Sequence, residues 1–148
     1  MADALVESAD EPALLLSGAI AYWCEGSKSK PWRREERVRF INGDPLMIWL
    51  FLAFVRAAPV AHGPIGFRIS IHESADEPEA RRYWGAIVGI EPGAFRPTTF
   101  KSHKPLTRRK NVGSDYHGCL VIDVGRSGDL YRYIDAIARA AVARWENG

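Results

Sequence analysis

The chain is poor in the residues that staple small proteins together. Only two cysteines, Cys24 and Cys119, occur in 148 residues. They lie far apart, which argues against a disulfide framework or a zinc knuckle. The four histidines, His62, His72, His103 and His117, show no spacing that reads as a metal box, and His72-Glu73 lacks the second histidine of a zinc-protease motif. Base is missing from the first dozen residues, which carry Asp3, Glu7, Asp10 and Glu11. That stretch does not read as a secretory or mitochondrial signal. Long hydrophobic runs are missing too: the longest, Leu46 to Val55, falls short of the roughly 20 residues that span a bilayer. A cytoplasmic protein with no membrane partner is expected.

What remains is the composition of an ordinary globular domain, 47% hydrophobic and 26% charged, in a chain long enough for one core. Residues 1–12 read as a flexible acidic leader and 13–148 as a single domain. Ala13 to Cys24 is apolar and rich in small residues, ending at Gly26. Leu14, Gly18, Ala21 and Glu25 fall at helical spacing, so one face carries small groups and a carboxylate. Two short strands are expected over Ser27–Trp32 and Arg37–Ile41, joined into a hairpin by Arg33-Arg34-Glu35-Glu36. Asp44 then caps, and Pro45 opens, a helix running to about Ala58. Met47 to Val55 holds no polar residue, so this helix must be covered on more than one side.

The alternation of Phe67 to His72 predicts a half-buried strand. A third helix follows over about Glu79–Val88, stopping near Gly89. Phe95–Ser102 reads as a strand that Pro97 confines to an edge or bulge. A basic loop leads to the strand His117–Val124, and Ser127 or Asp129 caps a last amphipathic helix containing Leu130, Ile134, Ile137, Ala141 and Val142. The fold class is α+β, in the order α-ββ-α-β-α-ββ-α.

The net charge is only +2, so the informative feature is where the charges sit. Six bases (Lys28, Lys30, Arg33, Arg34, Arg37, Arg39) stand against Glu35 and Glu36 in the first hairpin. Six more (Arg96, Lys101, Lys104, Arg108, Arg109, Lys110) occupy fifteen residues with no acid. Cations on a twisted β-ribbon can reach phosphates and base edges in a major groove. Lysine and arginine also blunt exposed strand edges, but a stretch of this length without one acid exceeds that need. Trp32, Phe100 and several Ser/Thr interleave the bases. These residues are the candidate DNA-binding set.

The segment Leu16-Ser17-Gly18-Ala19-Ile20-Ala21-Tyr22-Trp23-Cys24-Glu25-Gly26-Ser27 resembles a degenerate LAGLIDADG helix. It is a small/apolar run closing in an acid-Gly pair, followed by Ser and a basic strand. Val38 to Pro45, followed by an apolar helix, resembles the strand-turn-helix that comes next in the single-motif LAGLIDADG homing endonucleases. Arg109-Lys110-Asn111 and Tyr116-His117-Gly118-Cys119 resemble the later portion of small members.

The resemblance implies an antiparallel β-saddle, backed by helices, lying along double-stranded DNA. It implies a homodimer whose motif helices meet at a seam, here Gly18, Ile20, Ala21 and Cys24. Counted back from Glu25-Gly26, the family's small positions fall on Ile20 and Cys24. Glu25 is then the magnesium ligand of a phosphodiester-cleaving centre, with Lys101, Lys104 or Lys110 assisting catalysis. The implied function is a Mg²⁺-dependent endonuclease, found at the nucleoid when bound. The alternatives are a regulator that binds DNA without cutting it, or a protein-interaction module meeting an acidic partner. The nucleic-acid reading requires the two basic segments to share a concave surface, with the first helix abutting its twin.

Overall fold

The structure, a computed structural model, describes residues 1–102 and 116–146. Two N-terminal helices, α1 (Ala2–Glu7) and α2 (Glu11–Glu25), precede strand β1 (Arg39–Asn42) and helix α3 (Pro45–Ala57). Strand β2 (Ile65–His72), helix α4 (Glu77–Val88), a 3-10 turn at Pro92–Ala94 and strand β3 (Thr99–Lys101) follow. Strand β4 (Cys119–Val124) and helix α5 (Gly128–Glu146) complete the α+β fold. Residues 2–7 of the acidic leader form α1, which buries nothing. Helix α2 starts at Glu11, where the Asp10 carboxylate accepts the Ala13 amide at 3.0 Å. Asp44 caps α3 through the Leu46 amide at 2.9 Å, with Pro45 as its first residue, as the residue pattern there dictates.

The four strands form one sheet in the order β1-β4-β2-β3. Strand β4 runs antiparallel to both β1 and β2, whereas β2 and β3 pair in parallel. The sheet is therefore mixed, not the fully antiparallel one expected. The reason is α4: a helix between two neighbouring strands carries the chain back to the end where it began, and such a crossover makes the pair parallel. The expected strand over residues 27–32 is also not formed. Residues 27–38 are loop apart from two isolated bridges, Gly26 with Phe40 and Lys30 with Arg33. The last strand of the chain begins at Cys119, not His117.

Strand alternation divides the sheet into two faces. Phe40, Ile69, Ile71, Leu120, Ile122 and Val124 point to the helices and are fully buried. There they meet Ile48, Phe51 and Phe54 of α3, Tyr22 of α2, Trp84 of α4 and Leu130 and Ile134 of α5 in one cluster. Phe40 and Phe51 stack with ring centroids 4.5 Å apart, and Tyr22 lies 5.6 Å from Phe51. Helix α3 is covered by the sheet on one side and by α2 on another, but Leu46 and Trp49 remain exposed. The coverage demanded by its apolar sequence is thus met within the chain for Ile48, Phe51, Leu52, Phe54 and Val55.

Candidate nucleic-acid interface

The second face of the sheet carries Arg39 on β1, Asp123 on β4, Gly66, Arg68, Ser70 and His72 on β2, and Thr99 and Lys101 on β3. At its centre lies Asp123, 6% exposed. A buried carboxylate is tolerable only when paired, and three arginines converge on this one. Arg39 grips it from Nε and Nη2 at 3.2 and 3.3 Å. Arg37 Nε lies 3.2 Å from Oδ1, and Arg96 Nη1 lies 3.8 Å from Oδ2. Arg37 Nε is out of line for a hydrogen bond and is a buried donor left unspent. Three guanidiniums against one carboxylate leave this face positive, and each arginine side chain keeps a third to a half of its surface exposed.

Arg96 reaches the aspartate because its register neighbour is glycine. A Cβ on Gly66, which pairs with Asp123, would stand 2.3 Å from the Arg96 guanidinium carbon. On the β3 side, Arg68 hydrogen-bonds Thr99. Arg81 binds Glu77 at 2.7 Å and Thr98 at 3.2 Å, fastening α4 to the segment that leads into β3. The bond from Arg81 to Glu77, and one from Thr98, hold the Glu77 carboxyl below its usual range.

Beside the sheet, loop 27–38 forms an open groove of about 540 Å³, lined by Gly26, Ser27, Lys28, Lys30, Trp32, Arg33, Glu35, Arg37 and Arg39. Without a strand ladder, the loop is held by hydroxyls. The Tyr22 hydroxyl donates to the Ser27 carbonyl at 2.6 Å and accepts the Arg39 amide at 3.2 Å. The Tyr131 hydroxyl accepts the Ser29 amide at 2.8 Å. The Ser127 hydroxyl accepts the Val38 amide at 2.8 Å and donates to the Val124 carbonyl at 2.6 Å. Burial pushes the Tyr22 phenol up to about 12, with the Arg39 amide pulling the other way. The phenol therefore stays protonated and able to donate at neutral pH. Glu36 is drawn off to Arg132 on α5, and Glu35 approaches Arg33 at 3.8 Å.

No known family model, curated protein or solved structure matches this chain.

Of the sequence-derived candidates, Lys28, Lys30, Arg33, Arg37 and Arg39 come together in the groove, and Arg34 sits exposed on the same loop. Arg96 joins Arg37 and Arg39 through Asp123. Lys101 lies on β3 at the far edge, roughly three strand spacings or 14 Å from β1. Lys104, Arg108, Arg109 and Lys110 lie outside the described residues. Among the described residues, Lys101 of the second basic segment and the first segment thus lie at opposite sheet edges, yet Arg39 and Arg96 meet across one face.

Asp123, Tyr22, Tyr131 and Ser127 were missed as organisers of this site. A lone acid inside the apolar run Cys119–Val124 was the signal for Asp123, since such a group demands cations. The three hydroxyls carried no comparable signal.

Glu25 is exposed at the end of α2, next to groove-lining Gly26. Among the described residues no three His, Cys, Asp or Glu side chains gather as a metal site. The small face of α2 is also engaged within the chain. A Cβ on buried Gly18 would stand 2.3 Å from Phe54 Cβ of α3, so this close helix approach is intramolecular. Ile20 and Ala21 are half-buried and Cys24 is exposed.

Proposed function

We propose that this chain is a DNA-binding domain that holds the phosphate backbone in the basic groove of loop 27–38 and across the adjoining arginine face. The observation that carries the proposal is the convergence of Arg37, Arg39 and Arg96 on the single carboxylate of Asp123, beside a groove holding five bases and one acid. Cations fixed in place pay less entropy on meeting phosphates than cations on free side chains. Asp123 and the three hydroxyl anchors do that fixing. The resemblance to single-motif LAGLIDADG proteins adds the finer expectation of a saddle on double-stranded DNA formed by two copies of the chain. The parallel β2–β3 pair and the loop at 27–38 are departures from that pattern. Binding without cutting is the reading we favour, because cations and a single acid line the groove. The third alternative, an acidic protein partner, would use the same cations, and affinity for DNA would then show almost no dependence on salt.

Charge reversal tests the proposal. The Lys28→Glu/Arg33→Glu double variant should lose most of its affinity for a duplex. Arg82→Glu, on α4 away from the groove, should bind as well as the parent. Equal losses in both would reduce the effect to net charge and overturn the assignment. The second reading, metal-dependent cleavage by a pair of chains, is favoured by one observation: Glu25 borders the groove. Strand breaks that require Mg²⁺ and vanish in Glu25→Gln would establish it, and intact DNA under the same conditions would remove it.

A further inference from the structure

The groove contains one residue that phosphate binding does not explain. Lys30 and Arg33 exchange both backbone hydrogen bonds, at 3.1 and 3.0 Å, closing a tight turn with Pro31 and Trp32 at its tip. Pro31 fixes the first corner of the turn. Trp32 is held up at the second corner with 80% of its surface exposed. Lys30 Nζ sits 5.5 Å from the ring centroid, over one face of the indole. Arg33 follows the ring in sequence, and Lys30, Trp32 and Arg33 all line the groove.

A large apolar ring displayed this fully is costly to leave in water, and it contributes nothing to the core. Its surroundings select the chemistry of what it meets. An apolar protein partner would have to desolvate the flanking cations, whereas a nucleotide presents a π face to the ring and a phosphate to the cations. Stacking on an aromatic ring beside a positively charged track is the way unpaired bases are held. In an intact duplex the base faces are already occupied by their neighbours, and exposing one costs unstacking.

Building on the DNA-binding reading above, we infer that Trp32 is a base-stacking finger and that the preferred ligand is nucleic acid with an unpaired base beside the phosphates held in the groove. The ring takes the base on its open face, and Lys28, Lys30 and Arg33 take the flanking phosphates. Discrimination is thus separated from affinity: the cations bind any backbone, and the indole rewards a base that is free to stack.

The test compares one sequence as a perfect duplex, as the same duplex with a single-nucleotide bulge, and as a single strand, the last prepared as DNA and as RNA. The parent protein should prefer the unpaired forms to the perfect duplex. Trp32→Ala should weaken binding to them by about 5- to 150-fold, the worth of one base–aromatic stack, and leave the perfect duplex unchanged. Trp32→Phe, which keeps a ring, should retain most of the preference. The DNA and RNA strands show which sugar the groove accepts, and preference for either unpaired strand over the duplex supports the inference. Equal binding of all forms, or an equal loss for all of them in Trp32→Ala, overturns the finger while leaving the basic groove intact. Failure to bind any of the four overturns both. Because the side chain is exposed, each variant should fold as the parent does, which a thermal melt verifies.

Discussion

The two faces of the sheet are held in place by different physics. On the helical face, Phe40, Phe51, Phe54 and Tyr22 stack against one another, and fully buried aliphatic groups fill the space between α2, α3 and the strands. That packing is non-directional, distributed over many atoms and insensitive to salt. On the polar face, position depends on a few directed contacts: one carboxylate holds three arginines, and three hydroxyls hold a loop that has almost no ladder of its own. One face supplies stability and the other supplies placed charge. Damage to each should therefore register in a different measurement.

The largest stability effect should come from the helical face. Phe51→Ala removes a fully buried ring stacked on Phe40 and Tyr22, and should cost about 3–5 kcal/mol in urea denaturation. The folded fraction should bind DNA as before. A loss of affinity at saturating folded fraction would mean that the two faces are coupled more tightly than their contacts suggest.

Asp123→Asn should cost less, about 1–3 kcal/mol, because its three arginines are partly exposed and can be rehydrated. Its second effect distinguishes it from any core variant. With the carboxylate gone, the three arginines lose their common anchor, so affinity for DNA should fall along with stability although the face gains positive charge. A variant that is less stable but binds more tightly would show that Asp123 acts mainly by offsetting the charge of the arginines, not by fixing them in place.

The smallest of these effects belongs to Tyr22→Phe, about 0.5–1.5 kcal/mol for the hydroxyl contacts to loop 27–38. The same group gives a pH signature. Its ordinary value of 10.0 is raised to about 12 by burial, so the folded chain holds this proton more tightly than the unfolded chain. The contribution is complete below pH 10 and is lost as pH rises from about 10 toward 12. Alkaline denaturation of the parent should steepen over that window, and the phenylalanine variant should lack that component. Identical alkaline limbs would show that the phenol is not the latch on this loop.

Much of the helical face was legible in the sequence, because local rules and tertiary packing agree there. Asp44-Pro45 and the apolar run behind it specified α3, and the alternation from Phe67 to His72 specified β2. The polar face was harder to read. Ser27 to Trp32 reads as half of a hairpin closed by the polar turn Arg33-Arg34-Glu35-Glu36, yet Ser-Lys-Ser-Lys-Pro offers no apolar side for a sheet to bury. It is anchored instead by the hydroxyls of Tyr22 and Tyr131. Sequence spacing does not reveal those partners, since Ser29 and Tyr131 are 102 positions apart. The parallel pairing of β3 followed from α4, which was recognised as a helix but not as a crossover. Gly18, which the resemblance implies for a seam between two chains, packs closely against Phe54 of the same chain.

The central claim is that the placed cations of the polar face neutralise DNA phosphates, and the slope of log affinity against log salt concentration measures that directly. About six neutralised phosphates predict a slope near −5 for duplex DNA. That slope should become shallower by about 0.9 for each groove cation replaced with glutamine. A slope close to zero, or one that does not change when Lys28, Arg33 or Arg37 is replaced, would contradict the account.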